Sequence, residues 1–405
     1  MRVTSLSWSR AALRLPVLVF VLHWLFVTVV GALATQYAQR LPTIEALGYR
    51  LPELDGWQRL VLQPWRNWDG FWYGLIADYG YDSGTAATAF WPLYPWSLRY
   101  LSQFGVMSYT TAGILLSNLA FLLALIVLHQ LVRREFGDAV AGRTLWLLAF
   151  APVSFYFSAM YSESFFLLFA VLAFFYALGG RYWLAGLAAA LAALTRNLGL
   201  LLALPVGLLF VQQHGWDPRR WPRSWLAVGL PALGPLIFGL VLWQIWGDPL
   251  TTVEAQQGWA REQALPHTTI RMALNQLDLA WLSTLAHSPT WTTLTSFDVR
   301  HGFAESEAVD LVAFVGGVAL LLLAARRLPL AYSAWCGLMM LVPLLSPSTI
   351  HPLMSTPRFL LVLFPLTIAL ALVLERRAML LGILVPSIVL CVILATQFAT
   401  WYWVA

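Results

Sequence analysis

The chain has 405 residues, 60% of them hydrophobic and only 11% charged. A soluble domain carries about 25% charged residues, so this composition excludes a water-soluble protein and marks an integral membrane one. Every basic residue is arginine; without lysine there is no P-loop lysine, no Schiff-base lysine and no lysine-rich nucleic-acid patch. The two cysteines, Cys336 and Cys391, lie in apolar runs, which leaves no disulfide framework and no thiol metal site. The net charge of +5 therefore reads as membrane topology rather than as affinity for a polyanion.

A spanning helix needs about 17–25 mostly apolar residues. Charge-free stretches predict spans near 13–35, 108–131, 143–159, 163–179, 182–195, 198–214, 225–246, 310–325, 328–346, 357–374 and 379–401. The first apolar run, 15–35, is too long for a cleaved signal peptide and reads as an uncleaved span. The pair meeting at Thr195–Leu198 is either one bent helix or two short ones. The predicted fold is an all-α polytopic bundle of about eleven transmembrane helices, one integral membrane domain over 1–405.

Arginine orients that bundle, because cytoplasmic loops collect it. With the N-terminus inside, Arg133, Arg134, Arg219, Arg220, Arg326, Arg327, Arg376 and Arg377 fall in short cytoplasmic turns. Two long polar segments, 36–107 and 247–309, then share the extracytoplasmic face. So do the polar groups at span ends: Glu163, Arg196, His351 and Arg358. A site built from distant parts of the chain is expected at that rim.

The stretch Trp68–Tyr81 (WDGFWYGLIADYGY) sets an acid among aromatics. An ionisable group beside a membrane is by default a functional hypothesis. If the stretch is a helix at about 100° per residue, Asp69 shares a face with Tyr73, and Asp78 lies about 180° away. Asp69 then works alone or with a partner from elsewhere. Trp68, Trp72 and Tyr79 suit an interfacial aromatic belt, and Asp69 as a helix cap is the plain alternative. Ala89–Pro95 (AFWPLYP) reads as an aromatic turn, since Pro92 and Pro95 oppose a regular helix.

Glu163 starts a span, where it complements the helix dipole or contacts a sugar hydroxyl. Arg196 interrupts an apolar run at a cost on the order of 2.5–3.5 kcal/mol unless paired or wet; it pairs Glu163 or holds an anion. Glu254, Gln257 and Arg261 fall at i, i+3, i+7, one polar helical face. His267, His287 and His301 are too scattered for a metal site. Arg358 stands at the outer end of a span, where an arginine calls for an anion; its planar fork suits phosphate.

Together these stretches resemble the PIG-V-type mannosyltransferases, bacterial relatives within the GT-C membrane glycosyltransferases. The matching pieces are 68–81, 89–95, ESFFLL at 163–168 with the preceding Tyr161 and Ser162, ALTRNLGLLLALP at 193–205, GDPLTTVEAQQGWARE at 247–262 and PRFLLVLFPL at 357–366. The resemblance implies a GT-C-like bundle and a sugar, usually mannose, carried on a polyprenyl phosphate. It also implies inverting transfer outside the membrane, with Asp69 as the catalytic carboxylate. No cofactor is expected beyond the lipid-linked donor, and the acceptor is a lipid, glycan or protein hydroxyl. Donor phosphate contacts fall to Arg358 and Arg196. Substrate contacts fall to Trp68, Tyr73, Glu163, Gln257, Arg261 and His351. The expected location is the bacterial plasma membrane. The competing reading, a transporter or flippase of lipid-linked intermediates, predicts pseudo-symmetric halves and polar groups at mid-bilayer.

Overall fold

The computed structural model describes residues 10–37, 51–103, 107–277 and 307–404; parts of both long polar segments, with His287 and His301, lie outside these residues. The described chain is helical. In order the helices are α1 Arg10–Tyr37, α2 Gly56–Val61, α3 Asp69–Tyr79, α4 Leu93–Gln103, α5 Tyr109–Phe136, α6 Asp138–Ala149, α7 Glu163–Leu178, α8 Tyr182–Thr195 and α9 Ala203–His214. They continue as α10 Leu233–Trp246, α11 Thr251–Ala255, α12 Pro266–Asn275, α13 Glu307–Arg327, α14 Leu330–Leu345, α15 Thr356–Leu361, α16 Phe364–Val373 and α17 Arg377–Ala399. Among the described residues six helical stretches are long and apolar enough to cross a membrane: Ala12–Tyr37, Tyr109–Phe136, Asn197–His214, Arg223–Trp246, Glu307–Arg327 and Arg377–Ala399. The chain is a multi-pass integral membrane protein.

Helix α7 is the hub. It packs against α5, α8 and α9, and Phe166, Leu167, Ala170, Val171 and Phe174 are fully buried. Lipid offers no hydrophobic drive for helix pairing, so close approach of small residues supplies the contact. The alanine-rich α8 shows how. A Cβ on Gly234 would meet Ala193 Cβ at 2.5 Å, and one on Gly199 would meet the Ala192 carbonyl carbon at 2.2 Å. Both neighbours therefore lie against the helix end that carries Arg196.

Two expected spans break, and a third junction takes one of its two expected forms. The stretch 143–159 is helical only to Ala149; Phe150–Ser162 is irregular with one 3₁₀ turn at Ser154–Phe157. Non-helical backbone within a membrane is tolerated only when buried in protein, and polar side chains satisfy this one. His23 bonds Ala149 O at 2.7 Å, Asn118 Nδ2 donates to Ser158 O at 3.3 Å and Ser117 Oγ donates to Tyr161 O at 3.0 Å. The stretch 357–374 divides into α15 and α16, with a non-helical break before Phe364. Near Thr195 the two-piece alternative holds: α8 ends, Arg196 is extended (φ −153°, ψ 143°), and a 3₁₀ segment runs over Asn197–Leu202.

Pro95 does not oppose a helix. It sits in the first turn of α4, where a missing N–H costs nothing. At one end of the bundle, Arg134 donates to Leu178 O at 3.5 Å and Gln213 to Ala177 O at 3.1 Å. The arginine-rich turns gather there. The termini of α3, α7, α8, α14 and α15 meet at the other end.

Candidate active site

The charged residues singled out in the sequence converge. Arg358 Nη2 lies 2.8 Å from Asp69 Oδ2 and 2.7 Å from Glu163 Oε1, with Nε donating to the same Oε1 at 3.0 Å. Arg196 Nη1 donates to that oxygen at 2.7 Å. Two carboxylates and two guanidiniums form one chain, Asp69–Arg358–Glu163–Arg196, drawn from four distant segments. The Arg358 guanidinium carbon lies 4.9 Å from the ring centres of both Tyr156 and Tyr161, a cation–π cradle. The irregular 150–162 segment supplies both rings.

Asp69 opens α3, at its N-terminal first turn. Trp68 is the preceding cap residue and makes no side-chain cap bond. Asp69 keeps 12% side-chain exposure, and no hydrogen bond among the described residues occupies its Oδ1. It lines a cavity of about 220 Å³ with Tyr73, Arg196, Gln256, Arg261 and Ser346. Tyr73 donates to Ser162 Oγ at 2.8 Å. Burial, with Glu163 and Asp69 nearby, pushes the Tyr73 phenol up, so it serves as a neutral hydroxyl. Arg261 donates to Ser346 O at 2.9 Å. Burial and then the Arg358 charge draw its guanidinium down, so an anion entering the cavity would restore lost stabilisation.

Strain concentrates here. Among the described residues four non-glycine residues have positive φ: Trp68 (57°), Ala260 (53°), Ser355 (71°) and Trp401 (72°). Trp68 precedes Asp69, Ala260 precedes Arg261, and Ser355 caps the helix carrying Arg358. Trp401 packs on Trp68 at 5.9 Å. Strained backbone clusters at functional sites.

A second, apolar groove of about 410 Å³ runs beside the site, lined by Leu147, Val312, Gly317, Leu360, Leu370 and Ile383 among others. Helix α15 divides the two spaces. Phe359 faces the polar cavity, and Pro357, Leu360 and Leu361 face the groove.

Several expected contacts fall elsewhere. Trp68 does not line the cavity; its Nε1 donates to Tyr402 O at 3.1 Å and its ring packs on Trp403. Gln257 is exposed, and Gln256 takes the cavity position. The reason is local: α11 ends at Ala255, and a 3₁₀ turn then a left-handed Ala260 abolish the helical phase that put Gln257 with Arg261. His351 faces Glu307, Nδ1 to Oε1 3.7 Å. Glu163 is fully buried beneath Arg358 rather than open to a sugar. Arg358 is committed to two acids, so Arg196 and Arg261 are the guanidiniums that border the cavity. Sequence reasoning missed Tyr156, Asn67 and Gln256.

A profile of the family described as Mannosyltransferase (PIG-V) matches residues 12–215, half of the chain. The chain belongs to that family. It is 31% identical over 142 residues to GPI mannosyltransferase 2 of Drosophila pseudoobscura pseudoobscura, covering 29% of this chain and 31% of that protein; the likeness thus spans about a third of the relative's length. Among solved structures it is similar to the Archaeoglobus fulgidus oligosaccharyltransferase, at 14% identity and TM-score 0.41, over 94% of this chain and 56% of that one. It is also similar to ArnT from Cupriavidus metallidurans bound to undecaprenyl phosphate, at 16% identity and TM-score 0.41, over 95% and 76%. The family match takes in Asp69, Glu163 and Arg196. Arg261 and Arg358 lie beyond it.

Proposed function

We propose that the protein is an inverting GT-C-type glycosyltransferase that moves mannose from a polyprenyl phosphate to an acceptor hydroxyl, at the extracytoplasmic face of a bacterial plasma membrane. The observation that carries this reading is the pairing of a cavity-facing carboxylate with guanidiniums beside an apolar groove. A lipid-linked sugar phosphate needs all three: a groove for the tail, cations for the phosphate and a base for the acceptor.

The groove across α15 takes the isoprenoid tail. Arg196 and Arg261 hold the phosphate, and Arg358 spans from the groove wall to Asp69. The acceptor oxygen attacks C1 of the sugar as the C1–O bond to phosphate breaks, and that electron pair leaves on the polyprenyl phosphate. The acceptor proton passes to Asp69 Oδ1. Arg358 Nη2 holds Oδ2 at 2.8 Å, which leaves Oδ1 to take that proton. Positioned base catalysis contributes roughly 10²–10⁴-fold, and one well-aimed donor to developing charge about 3–4 kcal/mol. Phosphate is a good leaving group under that stabilisation, so a single carboxylate suffices.

A flippase would place its polar groups at mid-bilayer. Here they meet at helix ends, beside Glu163 and Thr356, which favours chemistry at a rim. The test is donor choice. Purified protein in vesicles should transfer mannose from polyprenyl-phosphate mannose and not from GDP-mannose. Transfer from the nucleotide sugar alone would contradict the proposal.

A further inference from the structure

The backbone immediately before Asp69 is strained in a recognisable way. Trp68 has φ 57° and ψ −113°, and the Gly70 N–H donates to Asn67 O at 3.2 Å. These define the second position of a type II′ turn over Asn67–Gly70, a position dominated by glycine. A residue with a Cβ persists there only where its surroundings over-determine it.

Two structures hold it. Across the turn lies the Tyr161 phenol, which donates to Asn67 O at 3.1 Å and accepts from the Asp69 N–H at 3.0 Å. One oxygen thus ties the residues on both sides of Trp68. The second hold is the C-terminal end of α17 and the residues that follow it. Trp68 Nε1 donates to Tyr402 O at 3.1 Å, and its ring meets Trp403 edge-on at 4.9 Å. Asn67 Nδ2 donates to Phe398 O at 2.9 Å. The Tyr161 ring also lies under Arg358, so one side chain fixes both members of the Asp69–Arg358 pair.

We propose that Tyr161 and Trp68 are positioning residues: they clamp a glycine-type turn that sets the direction of the Asp69 carboxylate. The inference rests on Asp69 being the base. Because α3 begins at Asp69 itself, relaxing φ at Trp68 turns the helix's first residue, and Oδ1 no longer faces the cavity.

The experiment compares Trp68→Gly, Trp68→Ala, Tyr161→Phe and Asp69→Asn in the vesicle assay, over a range of polyprenyl-phosphate mannose. Both Trp68 variants lose the indole, but only glycine adopts a positive φ without strain. The clamp predicts a kcat for Trp68→Gly at least about tenfold above that of Trp68→Ala, with similar KM. Lost packing alone predicts equal values, or glycine worse. Tyr161→Phe keeps the ring under Arg358 and loses the clasp; its kcat should fall about tenfold or more with donor KM little changed. Equal kcat for the two Trp68 variants, or wild-type kcat for Tyr161→Phe, would overturn the proposal. If neither Trp68 variant folds, Tyr161→Phe decides it. Activity in Asp69→Asn would instead remove the base, a separate failure read in the same experiment.

Discussion

One oxygen of Glu163 accepts from both Arg358 and Arg196, while Oε2 is buried and makes no hydrogen bond among the described residues. Glu163 is thus a counter-ion bridging two cations, and breaking such a buried pair costs about 3–5 kcal/mol. Glu163→Gln should therefore lower the melting temperature in detergent and abolish transfer together. A variant as stable as wild type would show that the buried charge is not structural. These residues were legible in the sequence because charges inside apolar runs need a reason. The sequence offers Arg196 either Glu163 or an anion as partner, and the structure pairs it with Glu163 at 2.7 Å. Tyr156 was not legible, because nothing local separates it from the other tyrosines of an aromatic-rich chain. Gln256 was missed for a geometric reason: the left-handed residue at Ala260 shifts the phase by which Gln257 was chosen.

At the scale of the element, α15 is the informative piece. Six residues, Thr356–Leu361, wall off the polar cavity from the apolar groove. A proline in the first turn and a left-handed serine cap begin the helix. A break before Phe364 ends it, so it sits as a short partition rather than a span. The groove can be filled from the far side. A Cβ on Gly317 would approach Leu360 Cδ2 at 2.8 Å, and a leucine there extends into the space. Gly317→Leu should raise KM for a long-chain polyprenyl donor by about tenfold, while a short-chain analogue is used nearly as well. Equal effects on both chain lengths would place the tail elsewhere. The apolar runs announced the helices, since hydropathy reports where a chain can sit in lipid. It does not report where helices stop early, because His23, Asn118 and Ser117 rescue the broken backbone from other helices.

At the scale of the molecule, the site is assembled from α3, α7, the α8 break, the Arg261 loop and α15, five pieces spanning nearly 300 residues of sequence. Their meeting at one end was expected from span alternation together with arginine placement, because alternation sends every odd connection to the same side. The irregular 150–162 segment and the α17 tail lock these pieces together beneath Asp69. Arg261 and Arg358 lie beyond the family match, so the second half of the chain completes a charge cluster that the first half leaves open. The proposed chemistry turns on one carboxylate, Asp69. The most direct measurement is mannose transfer by Asp69→Asn in vesicles, with donor binding and melting temperature taken on the same preparation. The account predicts a folded protein that still binds polyprenyl-phosphate mannose and transfers at least about 10²-fold more slowly. Transfer near the wild-type rate would contradict it.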